Sequence, residues 1–313
     1  MRSVSKEIRV VMEDLKKDPL QKIKFIIFLR SYILTIAPFV VTLSFFSTFS
    51  HSYVYYALLF LVAGFTQNAL GVFMHEGSHY FFMDNKKWND AFANVLFCFV
   101  LMNTVDGYRK EHMRHHKYSG EPLDPYLGIY DVKSKKDLFK KLFFDLTLLT
   151  MVEKFIQRYL KPAADTEPTD VNSTDKKTDY LGLVGIALAN ALFFLLFYYI
   201  TKSIFGYFIF WVLPLLIIPA VVNRIRTFVE HYSPAGQEEA NRSVVPSFLE
   251  YLLIAPYGYS YHFIHHTTAS IPYYFMRKSH LKLNELGVKF EDNEIGMGYM
   301  RTFFKLYKTL PAK

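Results

Sequence analysis

Four stretches without a charged residue limit what this chain can fold into: Ser31 to Ser50, Tyr53 to Met74, Tyr180 to Ile200 and Ile204 to Val222. About 20 helical residues are enough to cross the ~30 Å hydrocarbon core of a bilayer. The chain is 51% hydrophobic and 18% aromatic, too apolar for an ordinary soluble domain of 313 residues. The four runs are therefore predicted to be transmembrane helices, paired into two hairpins. The fold class expected is an all-α integral membrane protein, one domain over residues 1–313, with interfacial helices and a helical cap at residues 223–313.

The polar stretches fit this plan. Residues 1–30 mix charge with Val11, Leu15, Ile23 and Ile26, as an amphipathic segment on the membrane surface would. They lack the apolar core of a cleavable signal, so the N-terminus is expected to stay on the side where it was made. The 15-residue apolar run Ala91 to Val105 is short for a span and suits a re-entrant or interfacial helix. Residues 131–160 read as helix lying on headgroups, and residues 161–178, rich in Pro, Asp, Thr and Lys, as a polar linker. A lone cysteine, Cys98, excludes an intramolecular disulfide and reads as a small buried apolar residue. The net charge of +8 flanks the apolar runs, which fits lipid headgroups and membrane topology and not nucleic acid. The presumed outer loops hold only Lys202, so both termini are expected in the cytosol, with the protein in the endoplasmic reticulum or a bacterial inner membrane. The sequons at Asn172 and Asn241 would then face away from the glycosylation machinery.

Nine of the eleven histidines fall in four places near span ends: HEGSH (His75, His79), HMRHH (His112, His115, His116), RTFVEH (His231) and HFIHH (His262, His265, His266). Residues three or four apart share a helix face, so each box can aim its rings at one point. Imidazole suits iron, zinc, copper and nickel. A structural zinc site takes four ligands, usually with cysteine, and nine rings are too many for one ion, so two ions are expected. Neutral ligands leave the ions' charge uncompensated, and Glu76, Asp124 and Glu230 are the carboxylates placed to orient the rings and offset it. Asn68 is read as helix packing more readily than substrate contact, and His51 and His280 as residues outside the site, His280 at the surface.

These boxes, with DPY after the second and IPYY after the third, resemble the membrane fatty acid desaturase and hydroxylase superfamily, whose pattern is HxxxH, HxxHH and HxxHH. The resemblance covers roughly Phe73 to Tyr274. It implies a non-haem di-iron centre on the cytosolic face, with His75, His79, His112, His115, His116, His262, His265 and His266 as ligands and His231 as the family's extra histidine. It also implies O2 as co-substrate and two electrons from a separate donor, a ferredoxin or small cytochrome. The substrate expected is a fatty acyl chain of a membrane lipid or acyl carrier, held in an apolar tunnel. Thr267 to Ser270 depart from the apolar stretch usual after the third box, which leaves the subfamily open. A lipid, hydrocarbon or carotenoid hydroxylase or ketolase has the same spacing. A metal transporter or sensor is the non-enzymatic alternative, but its ligands belong near the bilayer midplane, not at span ends.

Overall fold

The computed structural model describes residues 5–159, 179–234, 240–291 and 294–312. Among these, four helices are long and apolar enough to cross a membrane: Pro19–Ser44, Tyr53–Ser78, Tyr180–Thr201 and Phe208–His231. The polar linker expected at 161–178, with Asn172, lies outside the described residues. Asn241 is buried.

The span limits differ from the expected ones in an instructive way. The first helix begins before Ser31, with Lys24 and Arg30 in its opening turns, and the Lys24 ammonium reaches Asp84 at 2.5 Å. The helix breaks after Ser44, and a separate turn, Phe46–Phe49, completes the hairpin. The second helix runs on through Ser78, so His75 is helical and His79 is the C-cap. The fourth starts with a π-turn at Phe208–Val212 and continues past Val222 to His231. Its charges do not end it because each has a partner: Arg224 pairs with Asp145, and Arg226 with Glu230 at 2.9 Å. An apolar run therefore marks the bilayer, whereas the helix ends where its caps do.

The second and fourth spans pack side by side and carry histidine at the same end. They approach closely at Gly64, where an added Cβ would fall 2.4 Å from Ile218 Cγ1 and 2.5 Å from its Cβ. We expect Gly64→Val to lower stability by about 1–3 kcal/mol, as overpacking does. Thermal unfolding in detergent measures this, and an unchanged midpoint would show that the helices do not depend on the contact.

Between the second box and the spans, helix Lys86–Ala93 passes through a π-turn and a 3-10 turn to Leu101. The chain then turns at Met102, φ +57°, into helix Val105–Tyr118, bent by 87° from the first. This bent pair holds the short apolar segment read as re-entrant or interfacial. Cys98 is fully buried within it. Helices Lys135–Leu146 and Leu149–Tyr159 expose Phe139, Phe143, Leu146, Val152 and Ile156.

The C-terminal part folds over the histidine end as short helices and one two-stranded parallel sheet, Ser243–Val245 with Ile295–Met297. Two of the sequence expectations fail here. The N-terminal helix Ser5–Lys16 does not lay its apolar stripe on a membrane; Ile8, Val11 and Leu15 pack against Phe263, Phe275 and Leu283 of the cap. His280 is not a surface residue; it is buried, with its ring stacked on Phe290 at 4.8 Å and against Tyr261. In both cases the partner lies on another segment of the chain, which local hydropathy does not register.

Candidate metal centre

The nine box histidines converge, and they do so in two groups. One contains His75, His79, His112, His116 and His265; the other His115, His231, His262 and His266. Within each, one ligand atom per residue lies within 4.8 Å of all the others. His51 and His280 belong to neither group. The expectation that each box serves one point is corrected. Positions i and i+4 differ by about 40° around a helix, but i+3 lies on the other flank. His112 and His116 therefore share the first group while His115 turns to the second. In the third box the pattern reverses: His262 and His266 share the second group and His265 turns to the first.

The arrangement fits metal. In the first group His265 Nε2 lies 2.9 Å from His75 Nε2, 2.8 Å from His116 Nε2 and 3.3 Å from His112 Nε2. His112 Nε2 is 3.1 Å from His79 Nε2 and 3.0 Å from His116 Nε2. In the second, His262 and His231 approach at 2.8 Å through their Nε2 atoms. A metal–imidazole bond of about 2.1 Å puts ligand atoms at right angles about 3.0 Å apart, close to these edges. The nitrogens are also in the required protonation state. Burial, with the charge of Arg109, pushes His79 down to about 4, and burial with the neighbouring rings pushes His116 down to about 3. The same causes hold His112, His262, His265 and His266 well below the ordinary histidine value. Neutral rings keep a lone pair for a cation.

Each of the three carboxylates lies behind this shell. Glu76 Oε1 is 3.1 Å from His75 Nδ1, and its other oxygen accepts the Tyr273 N–H at 3.0 Å. Both Asp124 oxygens are 3.0 Å from His115 Nδ1, and the carboxylate also accepts from the Tyr126 N–H and the Tyr130 hydroxyl. Burial alone would raise the Asp124 pKa, but the hydrogen bond and charge of His115, with Tyr130 and Tyr126, bring the net below the usual value. Glu230 accepts from Arg226 at 2.9 Å and from the Tyr299 hydroxyl at 2.7 Å, and lies 3.7 Å from His262 Nδ1. We expect Asp124→Asn to weaken binding of a metal by the second group about 10–100-fold while sparing the first. Metal titration followed by elemental analysis would show it, and equal loss from both groups would refute the pairing.

Sequence reading missed the residues that hold those carboxylates, Tyr130, Tyr299, Arg226 and the Tyr273 backbone. With 23 tyrosines in the chain, none stands out. It also missed Arg109. The Arg109 guanidinium donates to the Ser78 and Gly77 carbonyls at 2.8 and 3.2 Å and pairs with Asp90 at 2.6 Å. It thereby satisfies the Ser78 carbonyl, which the end of the second span leaves open, next to His79.

Beside both groups a cavity of about 380 Å³ opens between the second and fourth spans, touching His112, His115, His231 and His262. Asn68 lines it and also donates to the Leu253 and Ile254 carbonyls at 3.1 and 3.3 Å, so it serves packing as the sequence reading favoured.

Two comparisons bear on this geometry. A dihydrorhizobitoxine desaturase from Bradyrhizobium elkanii is 26% identical over 241 residues, covering 72% of this chain and 66%, just under two thirds, of that protein. A family model described as fatty acid desaturase matches residues 25–297, a range that takes in all three boxes, His231 and the four spans apart from the opening turns of the first. With the paired histidine groups at the ends of those spans, that match shows that the chain belongs to the fatty acid desaturase family.

Proposed function

We propose that this protein is an oxygen-dependent di-iron lipid desaturase that introduces a double bond into a fatty acyl chain of a membrane lipid or acyl carrier. The observation that carries the reading is the division of nine imidazoles into adjoining groups of five and four beside a cavity between two spans. His75, His79, His112, His116 and His265 would hold one iron, and His115, His231, His262 and His266 the other. Iron bound there supplies the oxidising chemistry: two hydrogens leave adjacent carbons, and O2 with two further electrons and two protons ends as two waters. The remaining work belongs to the chain.

Glu76, Asp124 and Glu230 fix the ring orientations by the contacts described above and offset part of the cations' charge. The bonds from Tyr273, Tyr130, Tyr299 and Arg226 keep those carboxylates in place. The spans shield the reacting carbons from water, and the cavity wall sets which carbons lie beside the rings. His79, His116 and His266 are only partly buried, so the centre approaches the surface on that side, where a ferredoxin or small cytochrome would deliver electrons. The charge distribution supports a cytosolic location for this face.

Anaerobic reconstitution with ferrous salt should give two irons per chain. Expression in a host of defined lipid composition, followed by lipid chromatography, should reveal a new double bond. Protein that holds no iron would refute the centre, and iron-loaded protein that forms hydroxylated product would refute desaturation.

A further inference from the structure

The cavity beside the histidines is lined mainly by apolar surface, but polar side chains interrupt it at defined positions. A site for a plain acyl chain gains from apolar walls, because buried polar groups left without partners oppose binding. Here the second span presents Gln67 and Asn68 and the fourth presents Asn223 and Arg226. Asn68 lies seven residues before His75 and Asn223 eight before His231, about 10–12 Å along two helices that run in the same direction. The two carboxamides therefore stand at similar depth. Asn68 uses its amide hydrogens on the Leu253 and Ile254 carbonyls, which leaves Oδ1 as an acceptor without a partner among the described residues. Asn223 is complementary: its Oδ1 accepts from Arg226 at 2.8 Å, which leaves its amide N–H groups as donors.

Nearer the rings the wall is polar again. Tyr108, Tyr126 and Tyr259 line it there, and the Arg226 guanidinium lies over the Tyr259 ring at 4.4 Å. Burial keeps all three phenols protonated, hence able to donate. Apolar surface remains at Gly71, Val72, Leu215, Pro219 and Ala220. The cavity thus alternates apolar wall with hydrogen-bonding sites.

Resting on the oxidative reading above, the geometry points to a substrate whose chain carries a hydroxyl or amide group about 10 Å from the carbons attacked, bound between Asn68 and Asn223. Such a group donates to Asn68 Oδ1 and accepts from the Asn223 amide. An unsubstituted hydrocarbon chain satisfies neither.

The test uses the full chain in detergent, loaded with Zn(II) so that no turnover occurs, and two probes with equal numbers of heavy atoms, methyl 10-hydroxydecanoate and methyl undecanoate. Calorimetric titration is expected to show the hydroxylated ester binding at least tenfold tighter. In Asn68→Leu the order should reverse or vanish, with two metals per chain still bound. Asn68→Asp, which keeps an acceptor, should retain a preference for the hydroxylated ester and so exclude a general folding defect. Equal binding of the two esters by the unaltered chain, or a preference that persists in Asn68→Leu, would overturn the proposal. Oxygen uptake by the iron-loaded chain reads the proposed function separately: a hydroxyl preference in protein that never oxidises substrate keeps the polar subsite and removes the desaturase.

Discussion

Replacing His265 by alanine is expected to reduce iron from two atoms per chain to about one and to lower turnover by about 100-fold or more, given that even residues behind a ligand shell cost 10–100-fold. His265 Nε2 lies within 3.3 Å of those of His75, His112 and His116, as many close ring neighbours as His112 has. Its removal opens that group at the centre while the second group keeps all four of its rings. The spans should still insert, because the ring lies in the short helix His262–Thr267 outside them. His51→Ala supplies the comparison: that ring sits in the turn before the second span, away from both groups, and its loss should change neither iron nor turnover. Elemental analysis and product chromatography on both variants decide the matter. Two irons retained by His265→Ala would show that the grouping does not describe the ligands.

The split of the boxes also shows what sequence can and cannot convey. Spacing at i and i+4 is visible in the sequence, as are four runs without charge, so the presence of a histidine centre at span ends was legible. Which ring joins which group was not, because His115 and His265 leave their helical neighbours only when a partner helix lies on the other flank. The carboxylates could be named because they sit within or beside the boxes: Glu76 in the first, Asp124 eight residues after His116, Glu230 next to His231. The groups that hold them could not, since Tyr299 reaches Glu230 across 69 residues and the Tyr273 N–H reaches Glu76 across 197. The N-terminal helix failed for the same reason. Its amphipathic pattern states that one face is apolar, but not whether lipid or the cap covers it. The polarity of the cavity was the largest omission. Asn68 is an isolated polar residue in a span, whereas Asn223 stands among charges beyond the expected helix end, and both line one cavity only because the fourth helix continues.

Gly71→Leu tests whether that cavity is where substrate lies. Gly71 is one turn before His75 on the second span and lines the cavity, and a Cβ added there meets no atom within 4 Å. Its open side is therefore the cavity itself. Leucine at this position costs the fold little, because replacing glycine within a helix is worth roughly 0.8–1 kcal/mol in the favourable direction. The added side chain enters space that substrate needs, close enough to the rings to displace the carbons to be oxidised. A misplacement of about 1 Å at a reacting centre costs on the order of 100-fold in rate, and a leucine side chain exceeds that displacement. We expect turnover to fall by at least that factor, with two irons still bound and thermal stability unchanged or slightly raised. Gly128→Leu, at another glycine whose Cβ meets nothing within 4 Å but which lies outside the cavity wall, should keep full turnover. Full activity in Gly71→Leu would place the substrate elsewhere, and loss of iron together with activity would show that the side chain disturbed the rings instead of filling the space beside them.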